Sequence, residues 1–109
     1  MTTSLIGGLR YRVELQARQR TPDEGGGAVA VWATVASLFA QIKPVSGHEI
    51  VSADGRTGRV SHEVVIRYSA DVKPGMHIVQ GARTLIVHGV LDMDGRRRWL
   101  KCLCEERLP

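Results

Sequence analysis

Cys102 and Cys104, together with His48, His62, His77 and His88, are the side chains here whose chemistry would suit a zinc ion. A closed zinc site takes four ligands, and local pairs of the form Cys-x-x-Cys or His-x-x-x-His bring them together. Neither spacing occurs, so no metal is expected. The serines at 4, 37, 46, 52, 61 and 69 lie in no Gly-x-Ser-x-Gly turn, and neither cysteine has a sequence signal for an activating base beside it. A phosphate-cradling Gly-x-x-x-x-Gly-Lys motif is also missing. His62 and Glu63 would make an acid–base pair only if they shared a face, and neighbouring strand residues do not. No catalytic site and no cofactor are expected, and a function that breaks no bonds is left.

The rest of the composition agrees with a small β domain. The 109 residues make one domain, 1–109, large enough to bury a modest core without staples. The apolar stretch 28–40 is broken by Thr34 and Ser37 and falls short of the ~20 residues of a membrane helix. The first residues lack the basic start and apolar run of a signal peptide, so synthesis in the cytoplasm and no membrane partner are expected. Cys102 and Cys104 in a two-residue repeat would point to one face, where a bond between them would be strained. They are expected to be reduced and packed as small apolar residues. Fifteen Lys and Arg against eleven Asp and Glu give +4. The excess is spread over Arg10, Arg12, Arg18, Arg20, Arg56, Arg59 and Arg96-Arg-Arg98, and no tract reads as a basic tail.

Alternation supplies the strands. Leu9, Tyr11, Val13, Leu15 and Ala17 interleave with Arg10, Arg12, Glu14, Gln16 and Arg18 at the period of two. Thr21-Pro-Asp-Glu-Gly-Gly-Gly27 is turn chemistry and should form a long hairpin end. The segment 29–43 favours a pleated surface through Val, Trp, Thr, Phe and Ile, with a bend or bulge near Ser37. Pro44 cannot donate to a ladder, so regular pairing should stop there. Ser46-Gly-His-Glu49 has the form of a capping box, which predicts one helical turn over 47–53 inside a long inserted loop, 46–59. Val60, His62, Val64, Ile66 and Tyr68 then resume the alternation. Short strands follow over 76–80 and 84–91, and 92–95 closes a last hairpin onto the strand 96–105. Six strands with little helix predict an all-β fold, a small antiparallel barrel or sandwich with a long inserted loop and at most a short helical turn.

The order of three pieces is more telling than any one of them: an alanine-containing strand ending in Ser46-Gly-His-Glu49, a variable loop, and a strand closing in Ile66-Arg67-Tyr68. In that order and spacing, over 9–105, the chain resembles the head–tail joining, or head completion, proteins of tailed phages, prophages and gene transfer agents. The resemblance implies a stopper subunit in a ring below portal and adaptor, hexameric or else dodecameric, with a tail terminator or tail tube docking beneath. Double-stranded DNA would pass through that ring. It also implies that the loop gates the channel, through Ser46, Gly47, His48, Glu49, Ser52, Asp54, Gly55, Arg56, Gly58 and Arg59. The 43–59 stretch carries Lys43, Arg56 and Arg59 against Glu49 and Asp54, a net of +1, weak enough not to grip a phosphate surface. Gly47, Gly55 and Gly58 would supply backbone freedom. Glu63 and Arg67, opposite the face of Ile66, would meet a neighbouring subunit. Six copies at +4 would carry 6 × 4 = +24.

The competing class is a small basic barrel that binds single-stranded nucleic acid. Such modules stack bases on aromatic side chains, each worth about 1–3 kcal/mol. With five aromatics, Tyr11, Trp32, Phe39, Tyr68 and Trp99, a core of this size is expected to use most of them.

Overall fold

The computed structural model describes residues 9–22, 28–51, 55, 57–69 and 71–107. Six strands follow in chain order: β1 Tyr11–Pro22, β2 Ala28–Val51, β3 Thr57–Arg67, β4 His77–Gln80, β5 Arg83–Asp92 and β6 Trp99–Arg107. They pair antiparallel in the order β1-β2-β3-β6-β5-β4, and three pairs between β1 and β4, Glu14 with Val79, Leu15 with Ile78 and Gln16 with His77, close the barrel. Of the six-stranded all-β barrel or sandwich expected, the observed fold is the barrel.

β2 organises the molecule. Its 24 residues would run roughly 80 Å if straight, yet the longest dimension of the protein is 57 Å. Two irregularities let it coil. Leu15 faces Ala36 while Gln16 faces Thr34, so Val35 is the extra residue of a bulge two positions before Ser37. Pro44 faces His62 and His48 faces Val60, so four steps along β2 oppose two along β3. The expected interruption at Pro44 is there, but pairing resumes beyond it. β2 therefore ends in a ribbon with β1 at one end of the barrel and in a ribbon with β3 at the other.

The interior is aliphatic. Val13, Leu15, Ala40, Val64, Ile66, Ile78, Leu85, Val87, Leu100, Cys102 and Cys104 form its buried cluster, each at the inward step of an alternating strand. The expectation that the core would consume most of the aromatics is wrong. Tyr11, Trp32, Phe39 and Tyr68 are exposed and Trp99 is half-buried. A six-stranded barrel has little room inside, and branched aliphatics fill it at a density that flat rings would disrupt. Trp32 lies on the outer wall, stacked on His77 at 3.6 Å between centroids and 11° between planes. It covers His77, which burial and the nearby Arg107 hold below its ordinary pKa.

Cys102 and Cys104 are both free and fully buried, on one face as the two-residue spacing predicts. Burial pushes the Cys102 thiol from 9.0 up to about 12, and Cys104 higher still. Since 12 − 9 = 3, the thiolate fraction of Cys102 at pH 8 falls about 1,000-fold. Iodoacetamide should therefore label the native chain about three orders of magnitude more slowly than the urea-unfolded chain. Comparable native and unfolded rates would contradict the closed packing.

Candidate channel hairpin and its anchor

The segment 46–59 is not a loop with a helical turn. β2 continues through Ser46, Gly47, His48 and Glu49 to Val51, and β3 begins at Thr57, so His48, Glu49, Ile50 and Val51 pair with Val60, Arg59, Gly58 and Thr57. Ser46-Gly-His-Glu49 has the residues of a capping box, but it sits where Pro44 has displaced the ladder. His48 Nδ1 lies 3.4 Å from the Ser46 carbonyl oxygen, a local contact across that bulge, and no helix follows. Ile50, Val51 and Thr57 supply the β-branched residues that a ribbon prefers. Of the connection, Gly55 is described, with φ of 84°, a left-handed turn position suited to glycine. Ser52, Asp54 and Arg56 lie outside the described residues, as do 23–27.

The other two glycines are there for space. A Cβ on Gly58 would stand 2.5 Å from Cε1 and Nε2 of His88, and one on Gly47 would stand 2.7 Å from Nε of Arg59. His88 reaches Gly58 because β5 bulges there: Val87 faces Cys104 and Gly89 faces Leu103, leaving His88 as the extra residue. Its Nε2–H donates to Glu105 Oε1 at 2.9 Å, and the same oxygen accepts the backbone N–H of Arg59 at 3.2 Å. These bonds, that of His88 foremost, hold the Glu105 carboxyl below its ordinary pKa. Beside it, a Cβ on Gly89 would touch Ile50 Cδ1 at 3.3 Å. The β2–β3 ribbon therefore leans on the β5 bulge and is pinned to β6 at its base.

Beneath the ribbon, a polar cluster closes the mouth of the barrel. His62 faces the core residue Cys104. Gln80, Arg83 and Glu106 are each two residues from an inward side chain, Ile78, Leu85 and Cys104, and share that face. Arg83 Nε donates to Glu106 Oε2 at 3.1 Å, its Nη1 to Gln80 Oε1 at 3.3 Å, and its Nη2 reaches His62 Nε2 at 3.2 Å. A guanidinium only donates, so Nε2 of His62 accepts, and its Nδ1–H points to Ser61 Oγ at 2.9 Å. Ser61 Oγ also accepts the N–H of Glu106 at 2.8 Å. His62 is thus committed to a structural cluster. Among the described residues, no three His, Cys, Asp or Glu side chains converge as metal ligands.

Glu63 and Arg67 lie on the outer wall, as their places in the alternation predict. Glu63 Oε1 is 3.7 Å from Nζ of Lys101 in its own chain. The Arg67 guanidinium sits over the Trp99 ring, 5.2 Å from its centroid. Sequence reasoning missed the anchor, made by partners 17 and 46 positions apart, and the polar cluster, whose Arg83–Glu106, Arg83–His62 and Ser61–Glu106 contacts span 21 to 45 positions. A local hint was Gly89 inside the strand pattern 84–91, where a glycine often marks close approach or a bulge.

A family model described as phage head completion protein matches residues 5–107. The chain belongs to the phage head completion protein family, and it is a structural protein of a phage or phage-like virion rather than an enzyme. Among solved structures it is similar to a chain in the virion of a native gene transfer agent particle, at 21% identity and a TM-score of 0.68, covering 93% of this chain and 97% of that one. It is also similar to the solution structure of protein SF1141 from Shigella flexneri 2a, at 27% identity and a TM-score of 0.73, covering 93% and 95%. No curated protein matches.

Proposed function

We propose that this subunit forms a ring below the portal and adaptor of the particle, at its neck, with the β2–β3 hairpin directed toward the channel. There the hairpins retain the packaged double-stranded DNA, and the lower rim of the ring receives the tail. The observation that carries this reading is the hairpin itself. In a head completion protein with a closed barrel and no catalytic cluster among its described residues, it extends past the last β3–β6 pair, His62 with Cys104, and is braced by a dedicated contact set. A ring of six is favoured, with twelve as the alternative. Obstruction needs a stiff base and a movable end. His88, Glu105 and the Arg59 N–H give the first; the second is assigned to the part of the hairpin beyond Val51 and Thr57. Glu63 and Arg67, on the outer wall, are offered as part of the subunit interface. An exposed ion pair is worth about 0–1 kcal/mol, but repetition around a ring multiplies it and fixes register.

Replacing 50–58 by Asn-Gly, a two-residue hairpin turn, tests the retention role. The barrel should stay folded, losing about 1–2 kcal/mol with the buried part of Ile50. Full heads should form and then leak DNA, read as nuclease-sensitive genome in purified heads. Heads that stay filled and nuclease-resistant would count against gating by this hairpin.

A further inference from the structure

At the end of the barrel away from the β2–β3 hairpin, Arg67, Tyr68, Arg97, Arg98 and Trp99 line a cleft of about 450 Å³. No acidic residue is among its lining. Two features hold it open. The β5–β6 connection turns on Gly95 and on Arg97, whose φ is 57°, an uncommon value for a residue with a side chain. That turn is fixed by Asp92 Oδ2 accepting the Arg97 N–H at 3.0 Å and Asp94 Oδ1 accepting the Arg96 N–H at 2.9 Å. The Tyr68 N–H donates to the Arg98 carbonyl at 3.0 Å and ties the end of β3 to the same turn. Arg98 is committed to Asp94, its Nη2 lying 2.6 Å from Oδ2. Among the described residues, Arg67 and Arg97 have no carboxylate partner, and the Trp99 ring holds Arg67 in place.

We infer that this cleft binds an acidic peptide segment of a partner protein in the particle, with an Asp or Glu carboxylate between Arg67 and Arg97 and neighbouring atoms against Tyr68 and Trp99. Tyr, Trp and Arg are the residues that concentrate binding energy at protein interfaces, and a planar guanidinium suits a carboxylate in two-bond geometry. The cleft is shallow and open to solvent, with room for a few side chains of an extended segment laid across it. A duplex presents its phosphates on a broad convex surface, and only their edge would enter such a recess. The inference is independent of the gating role of the hairpin, and it assigns Arg67 to this cleft in place of the subunit interface offered above.

The test uses the full chain and a fluorescein-labelled hexaglutamate peptide, with hexaglutamine and a 20-base-pair duplex as comparison probes, read by anisotropy. Saturable binding of hexaglutamate and none of hexaglutamine are expected. Affinity should fall at least 10-fold in the Arg67→Ala/Arg97→Ala variant and less than threefold in Arg10→Ala/Arg12→Ala, which removes equal charge elsewhere. Trp99→Leu should weaken the peptide severalfold as well. Any of three results would overturn the inference: no saturable peptide binding, equal loss in both double variants, or a duplex bound more tightly than the peptide with the same dependence on Arg67 and Arg97.

Discussion

Gly58→Ala should destabilise the protein by about 1–3 kcal/mol, and His88→Ala in the same chain should cancel that penalty. The sign is informative because two effects oppose each other. In an extended strand, Ala for Gly ordinarily stabilises by about 0.4–1 kcal/mol, since the unfolded chain has less freedom to lose. Here the new Cβ would stand 2.5 Å from the His88 ring, closer than atoms approach. The ring has little room to yield: its side chain is 15% exposed and its Nε2 is held by Glu105 at 2.9 Å. Overpacking of this kind costs about 1–3 kcal/mol, so the clash wins. With His88 cut back to Ala the space opens, and the ordinary gain should reappear. A double-mutant cycle by urea denaturation measures the coupling. A stabilising Gly58→Ala in the wild-type background would mean that the hairpin does not rest on the β5 bulge.

Adjacent substitutions at Ile66 and Arg67 should separate folding from interface. Ile66 is fully buried, facing Ala40 on β2 and Leu100 on β6, and truncation to Ala should cost about 2–5 kcal/mol. Against the 5–15 kcal/mol that holds a domain of this size together, the melting temperature should fall by roughly 10–20 °C. Arg67→Ala removes an exposed cation over the Trp99 ring, worth about 0.5–1 kcal/mol, and should leave the subunit folded and soluble. Its effect should appear instead in assembly with its partners. Thermal melts of the isolated subunit, together with particle incorporation, distinguish the two. An Arg67→Ala chain that melts as early as Ile66→Ala would place Arg67 in the core rather than on the outer wall.

The alternation of β1, β3 and β6 was legible because each strand has one face in the core, so the sequence shows directly which side chains are buried. Six strands with little helix pointed to a barrel or a sandwich, and the β1–β4 pairs decide for the barrel. The hairpin was the failure, and its cause is specific: Ser46 and Glu49 carry the residues of a cap, but Pro44 opens a bulge and His62 and Val60 on β3 accept the displaced strand. Local side-chain chemistry lost to a ladder formed with residues 6 to 12 positions away. Gly47 and Gly58 were read as hinges for a related reason. Local sequence shows that a glycine is present, but only the approach of Arg59 and His88 shows that the side chain is missing to make room. The aromatics were placed inside because large apolar residues favour burial, a preference that a narrow barrel overrides.

Cryo-electron microscopy of filled particles, resolved at the neck, tests the central claim most directly by measuring where residues 50–58 lie relative to the channel axis. The expected map shows a ring of this subunit with those residues forming the innermost constriction, narrower than a DNA duplex, and the Arg67–Trp99 clefts turned away from it. A map that places residues 50–58 on the outer wall, with a channel through this ring wide enough for DNA, would contradict it.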